Sequence, residues 1–279
     1  MSRIIFIITY IGKFPWYFPY FLHSCKYNPT IDFLFFTDNN DQNLELPANV
    51  KIIPFSIELF KIEATKALGF EVSINYSYKL CDFKPAYGCI YADYIKEYDF
   101  WGYCDIDVIF GNIRLFITEE LLNEYDMINA RHDYLTGSFA LYRNQPFLQE
   151  LFKQSKDYRK VFTNPRNFFF DETNFAFVEF TKGKHYSQIH TEIESMTHVV
   201  KRLQEENRLR AYFELQIVEG FAGHLLWKKG TLIYRKQFEA MFYHLVEFKR
   251  KYSEPLDLYR KIPDEFRIGK KKIYRTKKE

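Results

Sequence analysis

Two aspartates one residue apart, Asp105-Ile106-Asp107, lie between the apolar runs Phe100–Tyr103 and Val108–Phe110. In an extended chain residues i and i+2 point to the same side, so both carboxylates project together. Converging carboxylates repel unless a cation neutralises them. A hard divalent ion shared with phosphate oxygens is the usual solution. Removing one of the two like charges is therefore expected to leave stability unchanged or to raise it slightly. No turn-forming residue flanks the pair, which argues against an ordinary acidic loop.

Upstream, the string Tyr78-Lys79-Leu80-Cys81-Asp82-Phe83-Lys84-Pro85 sets Asp82 and Lys84 at the expected start of a helix. Such a terminus attracts phosphate through free N–H groups and the helix dipole. Capping alone accounts for Asp82. It does not account for Lys84, whose charge opposes the dipole unless an anion is near. A third signal is His244, since a neutral imidazole is a competent ligand for a manganese-like ion. Lys249, five residues later, is within reach of a diphosphate.

These residues need a scaffold. Ile4–Tyr10, Ile31–Thr37, Val50–Phe55 and Phe100–Tyr103 are short, nearly continuous apolar runs, the pattern of strands buried on both faces of a parallel sheet. Trp16–Tyr27, Ile57–Leu68 and Asp82–Tyr98 read as intervening helices. Asp126–Ala130 and Ser138–Arg143 read as further strands, and Phe147–Ser155 as a helix. Phe175–Thr181, Leu215–Phe221 and Thr231–Tyr234 are weaker strand candidates. The order predicts an open α/β sheet, which binds ligands at the carboxyl edge of its strands. Asp105 and Asp107 fall at such an edge.

Composition narrows the class. The 279 residues are 47% hydrophobic and 27% charged, which excludes wholesale disorder and fibrous repeats. Aromatic residues reach 20%, enough for a thick core and for ring faces on a ligand. The net charge is +3, but Arg250–Glu279 holds eleven basic and five acidic residues, a +6 tail on a −3 body. Such a tail suits either solvation or contact with an anionic surface. The four cysteines form no C-x-x-C pair and read as reduced thiols. With no secretory signal and no ~20-residue apolar run, a cytoplasmic protein is expected. The expected division is a body over 1–249 and a basic extension over 250–279.

The strings Asp82-Phe83-Lys84-Pro85-Ala86-Tyr87-Gly88 and Gly102-Tyr103-Cys104-Asp105-Ile106-Asp107-Val108-Ile109-Phe110-Gly111, with a late His and Lys, resemble nucleotide-sugar glycosyltransferases of the GT-A fold. Within these they look closest to a bacterial group associated with capsule and lipopolysaccharide synthesis. The resemblance implies a Rossmann-like, mixed, mostly parallel sheet flanked by helices. It implies that Asp105, Asp107 and His244 hold Mn²⁺ or Mg²⁺ on the diphosphate of a nucleotide-sugar donor, with Lys249 on that diphosphate. It also implies that Thr9, Tyr10, Ile11 and Gly12 contact the nucleotide and that Asp38 lies near its base. The family's usual His-Gly-Lys-Pro-Trp context is not kept around His244.

Two stretches fit an acceptor side. Arg131, Gly137 and Ser138 follow the fifth strand, with Gly137 allowing close backbone approach. Asp171 and Glu172 lie in an aromatic setting, where a carboxylate can orient an acceptor hydroxyl or take its proton. They equally suit a helix N-terminus. The expected acceptor is a glycan or lipid-linked saccharide, with peripheral membrane contact through the tail. A sugar-phosphate nucleotidyltransferase would want a Gly-rich, Arg-bearing loop after the first strand. Tyr10-Ile11-Gly12-Lys13-Phe14-Pro15 is not one. A nucleic-acid-binding role would rest on Lys270, Lys271, Lys272, Lys277 and Lys278 alone, and no nucleic-acid partner is expected.

Overall fold

The structure, a computed structural model, describes residues 1–39, 41–221 and 223–275. Lys277 and Lys278 lie outside the described residues. The chain forms β1 (Ile4–Thr9), β2 (Ile31–Thr37), β3 (Val50–Pro54), β4 (Phe100–Cys104), β5 (Val108–Phe110), β6 (Met127–Asn129), β7 (Phe139–Arg143) and β8 (Ala211–Tyr212). Among the described residues seven of these make one sheet, in the order β3-β2-β1-β4-β7-β6-β8. Its pairings are parallel except where β7 runs against both β4 and β6. The apolar runs predicted an open α/β sheet, and the mixed, mostly parallel form is the one the resemblance implied.

Both faces of the sheet are buried. Ile5, Ile7, Leu34, Phe36, Trp101 and Tyr103 enter one core, and Ile4, Phe6, Ile8, Phe33, Phe35 and Phe100 enter the other. Strand alternation sends neighbours to opposite faces, so two cores require the continuous runs seen in the sequence. Gly102 sits where β4 meets β7, and a Cβ there would lie 2.4 Å from the Ala140 carbonyl oxygen.

The helix Ile57–Leu68 starts where Ser56 accepts the Leu59 N–H and stops at the left-handed Gly69. Asp82 does not begin a helix. A 3₁₀ segment runs through Ser77–Ala86, and two single-turn helices, Tyr87–Ile90 and Ala92–Ile95, follow. Phe175–Thr181 is not a strand, since Phe177–Thr181 is helical. A ten-residue helix, Met196–Glu205, went unpredicted, although it buries Met196, Val199, Val200 and Leu203 at helical spacing.

The second half adds β9 (Val218–Glu219), β10 (Leu225–Lys228), β11 (Thr231–Tyr234), β12 (Phe238–Glu239), β13 (Phe242–His244), β14 (Glu265–Ile268) and β15 (Ile273–Arg275). β13 runs antiparallel to β5 and parallel to β9. A separate sheet has the order β12-β11-β10-β14-β15. The boundary expected at Lys249 falls within this half of the chain. That residue lies inside a helical turn, Phe248–Lys251, and the later chain returns as strands. Phe266 stacks on Trp227 at 5.1 Å between ring centroids, and the Trp227 indole N–H donates to the Phe110 carbonyl at 2.8 Å. The tail thereby completes a core that supports β5.

This integration is testable. Phe266→Ala should lower unfolding stability by about 3–5 kcal/mol, the usual cost of emptying a buried aromatic site. Urea unfolding followed by Trp fluorescence measures it, and a merely solvated tail would show no change.

Candidate metal centre

The register of the short strands builds the site. His244 on β13 stands opposite Val108, the residue after Asp107, and the Leu245 N–H donates to the Asp107 carbonyl at 2.8 Å. On the other side of β13, His244 stands opposite Glu219. Three residues distant in sequence thus lie in a row at the carboxyl edge of β4. One ligand atom from each of Asp105, Asp107 and His244 lies within 4.8 Å of the others.

Each carboxylate has its own cation. Lys84 Nζ lies 2.6 Å from Asp105 Oδ1, and Lys249 Nζ lies 2.6 Å from Asp107 Oδ2. His244 Nε2 is 3.3 Å from the same Asp107 oxygen, while its Nδ1 is 2.9 Å from Glu219 Oε1. Burial alone would raise the Asp107 pKa, but His244 and Lys249 hold it well below the usual carboxylate range. Burial alone would lower the His244 pKa, but the adjacent Asp107 carboxylate and the hydrogen bond with Glu219 push it up to about 10. These are two views of one interaction. Removing Asp107 strands two cations rather than relieving repulsion, so the expected neutral or stabilising effect is corrected to a loss.

The residues fit a divalent ion. Asp107 Oδ2 is buried and has no well-aligned hydrogen-bond donor, although two cationic nitrogens lie close to it. An oxygen facing positive charge without directional bonds suits a metal. Two carboxylates and an imidazole suit a manganese- or magnesium-type ion. Glu219 on the remote imidazole nitrogen turns Nε2 toward the carboxylates, the usual arrangement behind a metal-binding His.

Other predicted residues divide. The Gly12 N–H donates to Asp38 Oδ1 at 2.8 Å, joining the loops after β1 and β2. Tyr10 borders them, its phenol pKa raised by burial and by Asp107 and Asp38. Ile11 packs partly buried against the core, and Thr9 turns inward to the Tyr91 hydroxyl at 2.8 Å. Asp82 is corrected as a ligand contact. Fully buried, it pairs with Lys79 at 2.8 Å and accepts the Phe168 and Phe170 N–H groups at 2.8 Å each. Lys84 is corrected likewise. The anion near it is the protein's own Asp105, and it also donates to the Gly137 carbonyl at 2.8 Å.

Asp82 nevertheless serves the site by anchoring the backbone that carries Asp171 and Glu172. Phe169, Asn174 and Phe175 in that segment all have positive φ, a costly concentration of left-handed backbone. Asp171 is 2% exposed and sits 3.7 Å from Lys84, its carboxyl pushed well up by burial with Lys84 opposing. Glu172 is only partly buried and accepts the Gly137 N–H at 2.8 Å. A Cβ at Gly137 would fall 2.6 Å from Asp171 Oδ2, so this cluster closes only around glycine.

Two acceptor-side expectations change. Ser138 is buried, its hydroxyl 2.9 Å from that of Thr136. Arg131 spends its charge on Asp133 at 2.7 Å and Glu219 at 2.5 Å. The sequence reading missed Glu219 and Tyr17. Glu219 carried a signal, an acid inside an apolar strand-like run. Tyr17, whose ring lies 5.8 Å from Lys249 Nζ, was one aromatic among many.

Fold and site together define an α/β protein with a carboxylate–imidazole cluster of the divalent-metal type at a strand edge. Residues 6–277 match DUF6625, a family of unknown function, and the chain belongs to that family. No curated protein matches it in sequence. Two solved structures are similar to it. One is the galactosyltransferase LgtC in complex with donor and acceptor sugar analogs, at 11% identity, TM-score 0.37, covering 77% of this chain and 75% of that one. The other is mouse xyloside xylosyltransferase 1 in its apo form, at 12% identity, TM-score 0.40, covering 78% and 87%.

Two predictions follow from the cluster. Asp107→Ala should abolish Mn²⁺ binding in electron paramagnetic resonance and destabilise the metal-free protein by about 3 kcal/mol, the low end for breaking a buried ion pair. The second concerns pH. The raised His244 pKa stabilises the metal-free fold fully below 6.5, and that contribution is lost as pH climbs toward 10. Mn²⁺ binding must expel that proton, so its affinity should rise over the same interval. Melting temperatures with and without Mn²⁺ should therefore diverge as pH rises, and parallel curves would exclude His244 as a ligand.

Proposed function

We propose that the chain is a divalent-metal-dependent glycosyltransferase that moves a sugar from a nucleoside-diphosphate donor to a saccharide hydroxyl. The observation that carries this reading is the Asp105–Asp107–His244 cluster at the carboxyl edge of β4, with Lys249 beside it and the Gly12–Asp38 loop contact on the same side of the sheet. In this role Asp105, Asp107 and His244 hold Mn²⁺ or Mg²⁺, which supplies positive charge against the diphosphate as it leaves. Lys249, about a third exposed on its side chain, turns from Asp107 to the same diphosphate. The backbone around Tyr10, Ile11 and Gly12, with Asp38, receives the nucleoside.

Lys84 acts from behind. It fixes Asp105 and the Gly137 carbonyl at once, so the metal edge and the acceptor edge keep one spacing. Of the two adjacent carboxylates, partly exposed Glu172 orients the acceptor hydroxyl or takes its proton. Buried Asp171 balances Lys84. The acceptor in this reading is a glycan or lipid-linked saccharide of bacterial surface polysaccharide synthesis, such as capsule or lipopolysaccharide. That places the enzyme in the cytoplasm, with basic residues of the C-terminal sheet near the inner membrane face. No helix among the described residues is long and apolar enough to cross a membrane.

A panel of nucleoside diphosphates, with and without Mn²⁺, tests the donor half. One of them should raise the melting temperature only with Mn²⁺, since a ligand at a hundred times its dissociation constant adds ~2.7 kcal/mol. Lys249→Ala should weaken that binding roughly tenfold, the value of one charge-assisted contact. Metal-independent binding, or pyrophosphate release from a nucleoside triphosphate and a sugar phosphate, would overturn the reading.

A further inference from the structure

The metal cluster does not use the basic C-terminal stretch, yet Lys270 of that stretch lines an open cavity beside the cluster. The cavity measures about 450 Å³, and its walls include Glu219, Phe221, Tyr234, Arg235, Phe238 and Lys270. The β11–β12 hairpin sets Tyr234 opposite Phe238, their rings T-shaped at 5.5 Å. Phe221 and Phe238 remain 42% and 38% exposed. Lys270 follows β14 and lies along Gly223, where a Cβ would fall 2.9 Å from Lys270 Cγ at a φ of +57°. A second cavity of about 390 Å³ shares Lys270 and adds His224 and Arg267.

The charge of this wall is unspent. Among the described residues neither Arg235 nor Lys270 has a carboxylate within 4.0 Å. Arg235 lies 5.0 Å from the Tyr234 ring centroid, and Lys251 lies 5.4 Å from that of Phe221. Glu219 adds little negative charge, since its oxygens face Arg131 at 2.5 Å and His244 at 2.9 Å. The cavity is therefore concave, aromatic and cationic. Ring faces pack on a sugar's C–H surface. A guanidinium and an ammonium recognise phosphate or carboxylate. Through Glu219, one wall touches the His244 imidazole directly.

We propose that this cavity is a second acceptor subsite, apart from the Glu172–Gly137 edge, and takes the part of a saccharide that bears a phosphate or carboxylate group. The inference rests on the glycosyltransfer reading for the word acceptor, and on the cavity itself for the ligand class.

Isothermal titration tests it on the full chain and on the double variant Arg235→Gln, Lys270→Gln, whose changed side chains are exposed. The probes are glucose 6-phosphate, glucuronate, glucose, inorganic phosphate and phosphatidylserine vesicles. Glucose 6-phosphate should bind more tightly than glucose and than phosphate, and the variant should weaken it roughly ten- to hundredfold. Mn²⁺ binding in the variant should stay unchanged. Equal binding of glucose and glucose 6-phosphate, or of phosphate and glucose 6-phosphate, would overturn the proposal. So would a variant that loses only vesicle attachment. If sugar phosphate binds as expected but no nucleoside diphosphate shows Mn²⁺-dependent binding, the glycosyltransfer reading fails and the cavity is a sugar-phosphate site without an acceptor role.

Discussion

Like charges brought together at one strand edge set the constraint that organises this molecule. Asp105, Asp107, Asp171 and Glu172 converge around the carboxyl end of β4, and carboxylates so close cannot all ionise without compensation. Lys84 reaches Asp105 and Asp171, and Lys249 and His244 reach Asp107. Arg131 and Gly137 complete the set, through Glu219 and through a backbone N–H to Glu172. These compensating groups come from three separate segments. The charge balance therefore ties the 3₁₀ segment, the β5–β13 pair and the loop after β6 into one arrangement.

The central sheet was legible because burial on both faces leaves a plain record. A strand that feeds two cores must be apolar along nearly its whole length, and β1, β2 and β4 are, apart from Asp32 and the terminal Thr9 and Thr37. The Asp-x-Asp pair was legible for the complementary reason, since two charges interrupt such a run. Asp82 and Lys84 show where this logic stops. A charged residue before a helical pattern looks alike whether it caps, binds phosphate or holds a loop eighty residues away. Only the fold shows that Asp82 receives the Phe168 and Phe170 N–H groups.

The strands of the tail were hidden for a related reason. Its strands alternate, with Phe266 and Ile268 buried and Arg267 between them, so net charge dominated a pattern whose apolar half packs on Trp227. Short strands of two to four residues carry too few positions for periodicity to register. The pairing of β13 with β5 is likewise non-local, joining positions more than a hundred residues apart. Nothing in the local sequence of His244 announces Asp107 as its neighbour.

That non-local pairing also explains how the cluster stays stable without a metal. Asp107 already holds a dication's worth of side-chain charge, one unit from Lys249 and one from the protonated His244. An ion entering there must displace both, expelling a proton from the imidazole and turning the ammonium away. The two losses differ in kind. The imidazole stays in place as a ligand, fixed by Glu219, whereas the lysine leaves with its charge and needs a new anion. A metal arriving alone strands that lysine; a metal arriving with a diphosphate does not. In the proposed reaction a single lysine would couple the two ligands, because each removes the cost that the other imposes.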